Sequence, residues 1–150
     1  MKILVTELES FCVEALLKVG VNLDDARTTA VALVTTDSWG IFTHGVKNLH
    51  GYIRRIRAGG LRRDAVPRVV AEGPAWAMVD GDSALGMVTS TFAMKTAIQK
   101  ARGAGLGYVG ARNSCHFGAA GYYASLALME QMIGITVCND TPTVTAPGAR

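Results

Sequence analysis

The stretch RNSCHFGAAGYYA, residues 112–124, holds the most chemically capable side chain of the protein. His116 sits between Cys115 and Phe117, just ahead of Gly118, Ala119 and Ala120. With Cys115 it could share a metal ion. Adjacent side chains do not converge readily on one ion, however, and no third or fourth ligand has ligand spacing. A Cys115 nucleophile with His116 as its base meets a similar objection, because such pairs are assembled by the fold and not by adjacency. As a general acid/base, His116 would occupy a short loop between a strand ending near Arg112 and a helix starting in the Gly–Ala run. Free backbone N–H groups and a bare surface at that helix start could receive an anionic or bulky ligand. The positive helix end also favours a neutral imidazole, able to accept a proton. A satisfied histidine in an Ala/Gly-packed turn explains the same residues, and chemistry alone leaves both readings open.

A second group lies in THGVKNLHGY, residues 43–52. On a helix, His44, Asn48 and Tyr52 recur at i, i+4 and i+8 and would form one stripe. Imidazole, amide and phenol together could hold a small polar substrate; a solvated helix face is the plainer alternative. His50 is expected at the surface. In CNDTP, residues 138–142, polar side chains end an apolar run, the place where open sheets commonly bind ligands. GLGYVG, residues 105–110, matches GxGxxG. A dinucleotide fingerprint should follow a strand and open a helix, whereas this one follows a helix and enters a strand. The expectation is a helix C-cap followed by a close-packed strand.

These groups must be positioned by the surrounding elements. TELESFCVEALLKVG has helical apolar spacing through Leu8, Phe11, Cys12, Ala15, Leu16 and Val19, with a capping-box pair at Thr6 and Glu9. Asp24 is expected to cap a second helix containing Ala30, Leu33 and Val34. A third, HGVKNLHGYIRRIRAG, would bury Val46, Leu49, Ile53 and Ile56 and stop at Gly59–Gly60. After Pro67 the pattern becomes strand, strand, helix, strand, helix, strand. The strands are RVVAEG and AWAMVDG (a hairpin at Gly73–Pro74), LGYVGAR and a buried IGITVCN. The polar loop that follows leads to no further element, so the sheet holding Ile135 and Val137 is expected to have more strands elsewhere.

The 150 residues suffice for one real core, and 49% hydrophobic with 18% charged residues argue against disorder. The net charge of +3 is small and its arginine cluster lacks interleaved aromatics, so nucleic acid is not an expected partner. Three widely spaced cysteines fit reduced thiols in a cytoplasmic protein. No run is long enough to span a bilayer.

Together, THGVKNLHGYIRRIRAGG, VDGDSALG, NSCHFGAAGYYA and CNDTPTVTAPGAR resemble the type 2 malate/L-lactate dehydrogenase family, NAD(P)-dependent oxidoreductases. The resemblance covers nearly the whole chain and rests on the order and spacing of the segments. It implies an α/β (α+β) fold that is not a Rossmann fold. Residues 1–62 would form an N-terminal helical layer, and residues 63–150 the first, truncated part of a mostly antiparallel-sheet cofactor domain. The implied reaction moves a hydride between NAD or NADP and a small 2-hydroxy acid or its 2-oxo (or imino) counterpart. By the same resemblance His116 is the proton donor/acceptor, with His44 beside it. Thr43, His44 and Gly45 fall near the substrate and nicotinamide, and Asn139, Asp140 and Thr141 at the cofactor; the residue stripe adds Asn48 and Tyr52 at the substrate, and the bare helix start adds Gly118 at the cofactor. A homodimer is also implied.

Two departures stand out. Several members of that family carry an arginine, able to grip a carboxylate bidentately, where this chain has the neutral Asn48. Either another cation such as Lys47 replaces it or the substrate is not a simple 2-hydroxy acid. Family members are also considerably longer, so a non-catalytic remnant or interaction module is the alternative expectation.

Overall fold

The structure, a computed structural model, describes residues 2–139. Helix α1 (Val5–Leu17) buries Cys12 and Leu16, one helical turn apart, against α2 (Leu23–Ser38). It starts before Thr6, with Leu4 as N-cap and no side-chain cap, so the expected Thr6–Glu9 capping box is not used. Thr6 instead accepts at its carbonyl from Ser10 Oγ. Phe11, expected on the buried stripe, is 61% exposed. Asn22, and not Asp24, caps α2: its side-chain oxygen accepts the Asp25 N–H at 2.9 Å. Ala26, Ala30, Leu33 and Val34 then face the core.

The expected third helix is shorter than its pattern. Two 3-10 turns, Phe42–His44 and Val46–Asn48, precede α3 (Leu49–Arg57), which buries Leu49, Tyr52 and Ile56. The single-face stripe of His44, Asn48 and Tyr52 is therefore corrected, because His44 lies outside the α-helix. The cause is local. Asp37 at the end of α2 accepts the Val46 N–H at 3.1 Å and lies where a side chain on Gly45 would have to be. The close approach bends the chain at Gly45.

Strands β1 (Arg68–Glu72) and β2 (Trp76–Asp80) form the expected antiparallel hairpin. Helix α4 (Gly86–Ala104) crosses back to β3 (Tyr108–Arg112), which runs parallel to β2, giving the order β1-β2-β3. Gly105 ends α4 in the left-handed region (φ 77°), and Gly107 leaves no room for a side chain against the Ala97 carbonyl. The glycines of the GxGxxG match thus serve a helix cap and close packing. Helix α5 (Ala120–Leu126) is short and ends in a 3-10 turn, Leu128–Glu130.

The expected buried strand at IGITVCN is not formed. Residues 132–139 belong to no helix or strand, and Ile133, Ile135 and Val137 are 92%, 78% and 84% exposed. The side chains alternate as a strand's would, but a strand exists only with a ladder partner, and none is present among the described residues. One hydrophobic core joins α1, α2 and α3 to α4 and α5 through Leu33, Leu85, Met87, Tyr122 and Tyr123. No helix among the described residues is long and apolar enough to cross a membrane.

Candidate active site

His116 is exposed, in the loop between β3 and α5. Its Nδ1 lies 2.7 Å from the hydroxyl of Tyr52, 64 residues earlier in the chain. The His44 ring centroid is 5.6 Å from that of His116, and Tyr52 stacks near it at 6.1 Å. The fold therefore brings His44, Tyr52 and His116 into one cluster, from a 3-10 turn, a helix and a loop.

Each member is braced. Thr43 Oγ1 lies 2.8 Å from His44 Nδ1. Asn48 donates its side-chain amide to the Thr43 carbonyl at 2.9 Å, which fastens the turn carrying His44. Gly118 is buried in the left-handed region (φ 78°) with the His44 carbonyl above it, 3.3 Å from where a Cβ would be. On the other side of His116, the fully buried Tyr123 donates to the Phe117 carbonyl and stacks on the Phe117 ring at 5.2 Å. His50 is exposed, with its Nδ1 2.9 Å from the Lys47 carbonyl in the preceding 3-10 turn.

Burial pushes the Tyr52 phenol up, further raised by Cys115 and partly offset by the positive charge of Arg55. It stays a neutral phenol at physiological pH and can accept from Nδ1–H as well as donate. When it accepts, Nε2 keeps its lone pair and can take a proton, and the resulting imidazolium still has its Nδ1–H satisfied. Tyr52 thus suits both directions of a proton transfer at Nε2.

Cys115 has a different task. Its sulfur accepts the Gly86 N–H at the start of α4, at 3.2 Å. Burial pushes its thiol up, against the Gly86 hydrogen bond and Arg55, so the reactive thiolate is disfavoured. Among the described residues no group of three His, Cys, Asp or Glu is placed to hold a metal.

Of the residues expected at the cofactor, Asn139 is exposed, and Asp140 and Thr141 lie outside the described residues. The glycine at 118 is accounted for by the His44 carbonyl, and α5 offers only seven residues. Residues 2–139 therefore bring His44, Tyr52 and His116 together, while the segment expected at the cofactor continues beyond the described residues.

Sequence reasoning missed Asp37, Gly86 and Tyr123 as braces of this cluster. Their bracing roles are not visible in the local pattern, because the contacts of Asp37 with the Val46 N–H and of Gly86 with the Cys115–His116 backbone are made only on folding. Asp80 and Asn113 were missed for the same reason.

Two expected results follow from these contacts. Tyr52→Phe removes the hydroxyl that lies 2.7 Å from Nδ1. Turnover should fall about 10- to 100-fold, the scale on which a histidine's second hydrogen bond matters at metal sites; unchanged steady-state kinetics would remove Tyr52 from the account. The second concerns acid. The Asn113 amide, followed by the Asp82 N–H, holds the Asp80 carboxyl below its ordinary value. A depressed folded-state pKa contributes stability that is present above the unfolded value of about 3.9 and is lost as pH falls through the folded one. Urea midpoints should drop on acidification below about pH 4, and less steeply in Asp80→Asn. Equal slopes in both proteins would contradict the assignment.

A braced imidazole backed by a neutral phenol is chemically able to act as an acid/base, and it is carried on a helical layer packed against a small mixed sheet. The sequence profile of the Malate/L-lactate dehydrogenase family matches residues 3–150, and the chain belongs to that family. Malate dehydrogenase of Pyrococcus horikoshii is 46% identical over 141 residues, which are 94% of this chain and 39% of that one. L-sulfolactate dehydrogenase of Methanocaldococcus jannaschii is 40% identical over 92% of this chain and 40% of its own length. The solved structure of the Pyrococcus horikoshii malate dehydrogenase superposes with a TM-score of 0.84 at 44% identity, covering 87% of this chain and 37% of that chain. The sulfolactate dehydrogenase structure gives 0.85 at 37% identity, covering 88% of this chain and 38% of that chain. The chain thus spans about two fifths of the length of these relatives.

Proposed function

We propose that this chain is the N-terminal part of an oxidoreductase that interconverts a small 2-hydroxy acid and its 2-oxo or imino counterpart with NAD or NADP. The observation that carries the reading is the 2.7 Å contact between Tyr52 and His116 Nδ1, with His44 alongside. In oxidation, His116 takes the hydroxyl proton at Nε2 while Tyr52 accepts from Nδ1–H. In reduction, Nε2 returns that proton to the nascent oxygen or nitrogen. A nicotinamide, when bound, supplies or receives the hydride. Thr43 and His44 orient the substrate against His116. Arg55, one helical turn beyond Tyr52, brings positive charge to Tyr52 and Cys115. The division into residues 1–62 and 63–150, the cytoplasmic homodimer, and Asn139, Asp140 and Thr141 as cofactor contacts belong to the same proposal.

One observation favours a second reading, a non-catalytic remnant or interaction module. The apolar segment around Ile133, Ile135 and Val137 is exposed, as expected of a chain that functions only against something else. Fluorescence titration of the purified protein with NADH and NADPH separates the two. Saturable enhancement with either is the expected result. A folded protein that binds neither would overturn the first reading in favour of the second.

A further inference from the structure

β2 and β3 end side by side, with Asp80 paired in register to Arg112. The chains beyond them stay fastened. Gly81 N–H donates to the Arg112 carbonyl and Ser83 N–H to the Asn113 carbonyl, both at 2.9 Å. The Asn113 side chain completes the knot in two directions. Its Nδ2 donates to Asp80 Oδ1 at 2.9 Å, and its Oδ1 accepts from Ser83 Oγ at 3.0 Å. The Asp82 N–H shares the same Asp80 oxygen at 2.9 Å.

This knot is conformationally costly. Asp82 (φ 54°), Ser83 (φ 62°) and Asn113 (φ 52°) all lie in the left-handed region, uncommon for non-glycine residues although Asp and Asn enter it most readily. Strain of this kind persists where the surrounding contacts over-determine it, and it gathers at functional sites. What this knot holds is the loop of His116. Asn113 lies three residues before the imidazole, and Gly86, three residues after Ser83, donates to Cys115 next to it. Segment 113–116 is thus tied at both ends to segment 83–86.

We infer that Asn113 is a positioning residue for His116, its carboxamide bridging Asp80 and Ser83 so that the loop delivers the imidazole to Tyr52. The inference rests on the reading of His116 as the acid/base. A carboxamide is required because the bridge needs a donor toward a carboxylate and an acceptor toward a hydroxyl in one planar group. A carboxylate would face Asp80 with like charge, and glycine would satisfy the backbone while leaving both partners loose.

Asn113→Gly is the decisive variant, since it removes the bridge at no backbone cost. The readout is the ¹⁵N shift of His116 Nδ1, which reports its hydrogen bond to Tyr52, together with kcat and KM. The expected result is loss of the Nδ1 signature and a fall in kcat of about 10- to 100-fold, with KM little changed. An Asn113→Gly protein that keeps the wild-type Nδ1 shift would overturn the inference. If that variant does not fold, Ser83→Ala, which removes a single hydrogen bond, should shift Nδ1 in the same direction by less, and no shift would overturn it equally. The NMR readout needs no turnover. A lost signature with unchanged kcat would leave the knot standing and refute the acid/base reading.

Discussion

His116→Ala is expected to lower turnover of a 2-hydroxy acid by about 10²- to 10⁴-fold while leaving affinity for the nicotinamide cofactor little changed. The reasoning is one of placement. The hydride chemistry belongs to the cofactor, so the protein's own contribution at the reacting carbon is the proton that leaves or joins its oxygen. His116 combines exposure with a fixed ring, because Tyr52 holds Nδ1 and the Phe117 carbonyl is held by Tyr123. His44 is the nearest other imidazole, but its Nδ1 is engaged by Thr43 within its own turn. Steady-state rates with cofactor affinities measured in parallel check the prediction. Near-normal turnover would show that another group moves the proton.

The second large effect is expected from a residue that touches no substrate. Gly86 opens α4 beneath the His116 loop. A Cβ there would lie 2.6 Å from the Cys115 carbonyl oxygen and closer still to that of His116. Both obstacles are backbone, so no side-chain rotation relieves them. Gly86→Ala must push the loop away, lengthening the Gly86 N–H bond to the Cys115 sulfur. Overpacking of this kind costs about 1–3 kcal/mol, and a displacement of about 1 Å at a reacting group can cost about 10²-fold in rate. Gly103, also in α4, has open space around it, so Gly103→Ala should instead stabilise by about 0.5–1 kcal/mol. Urea unfolding of the two variants measures the opposite signs. A Gly86→Ala protein as stable and active as wild type would show that the loop is not seated as described.

Much of the fold is legible in the chain because it is written in local period. The apolar spacing of α2, the Gly73–Pro74 turn between β1 and β2, and the glycine stop of α4 each act within a few residues. What failed depended on partners. The apolar alternation at residues 132–139 reads as a strand, yet period alone supplies no ladder, and the segment lies exposed. The stripe from His44 to Tyr52 assumed a helix that Asp37 interrupts at Gly45. His44 and Tyr52 nevertheless both lie against one imidazole, His116, 64 residues beyond Tyr52. The chemical identity of His116 could be suspected from its place before a run of small residues. Its braces could not, since Asp80, Gly86 and Tyr123 signal their roles only through contacts made in the folded chain.

The central claim is that His116 moves the proton in oxidation of a 2-hydroxy acid. It is tested most directly by the pH dependence of kcat/KM for L-malate with saturating NAD or NADP, in wild type and in His116→Ala. The account predicts a limb in the wild-type profile, from loss of a proton on the acid/base, that is absent from the profile of the variant. The same limb in both proteins would assign the proton transfer to another residue and contradict the account.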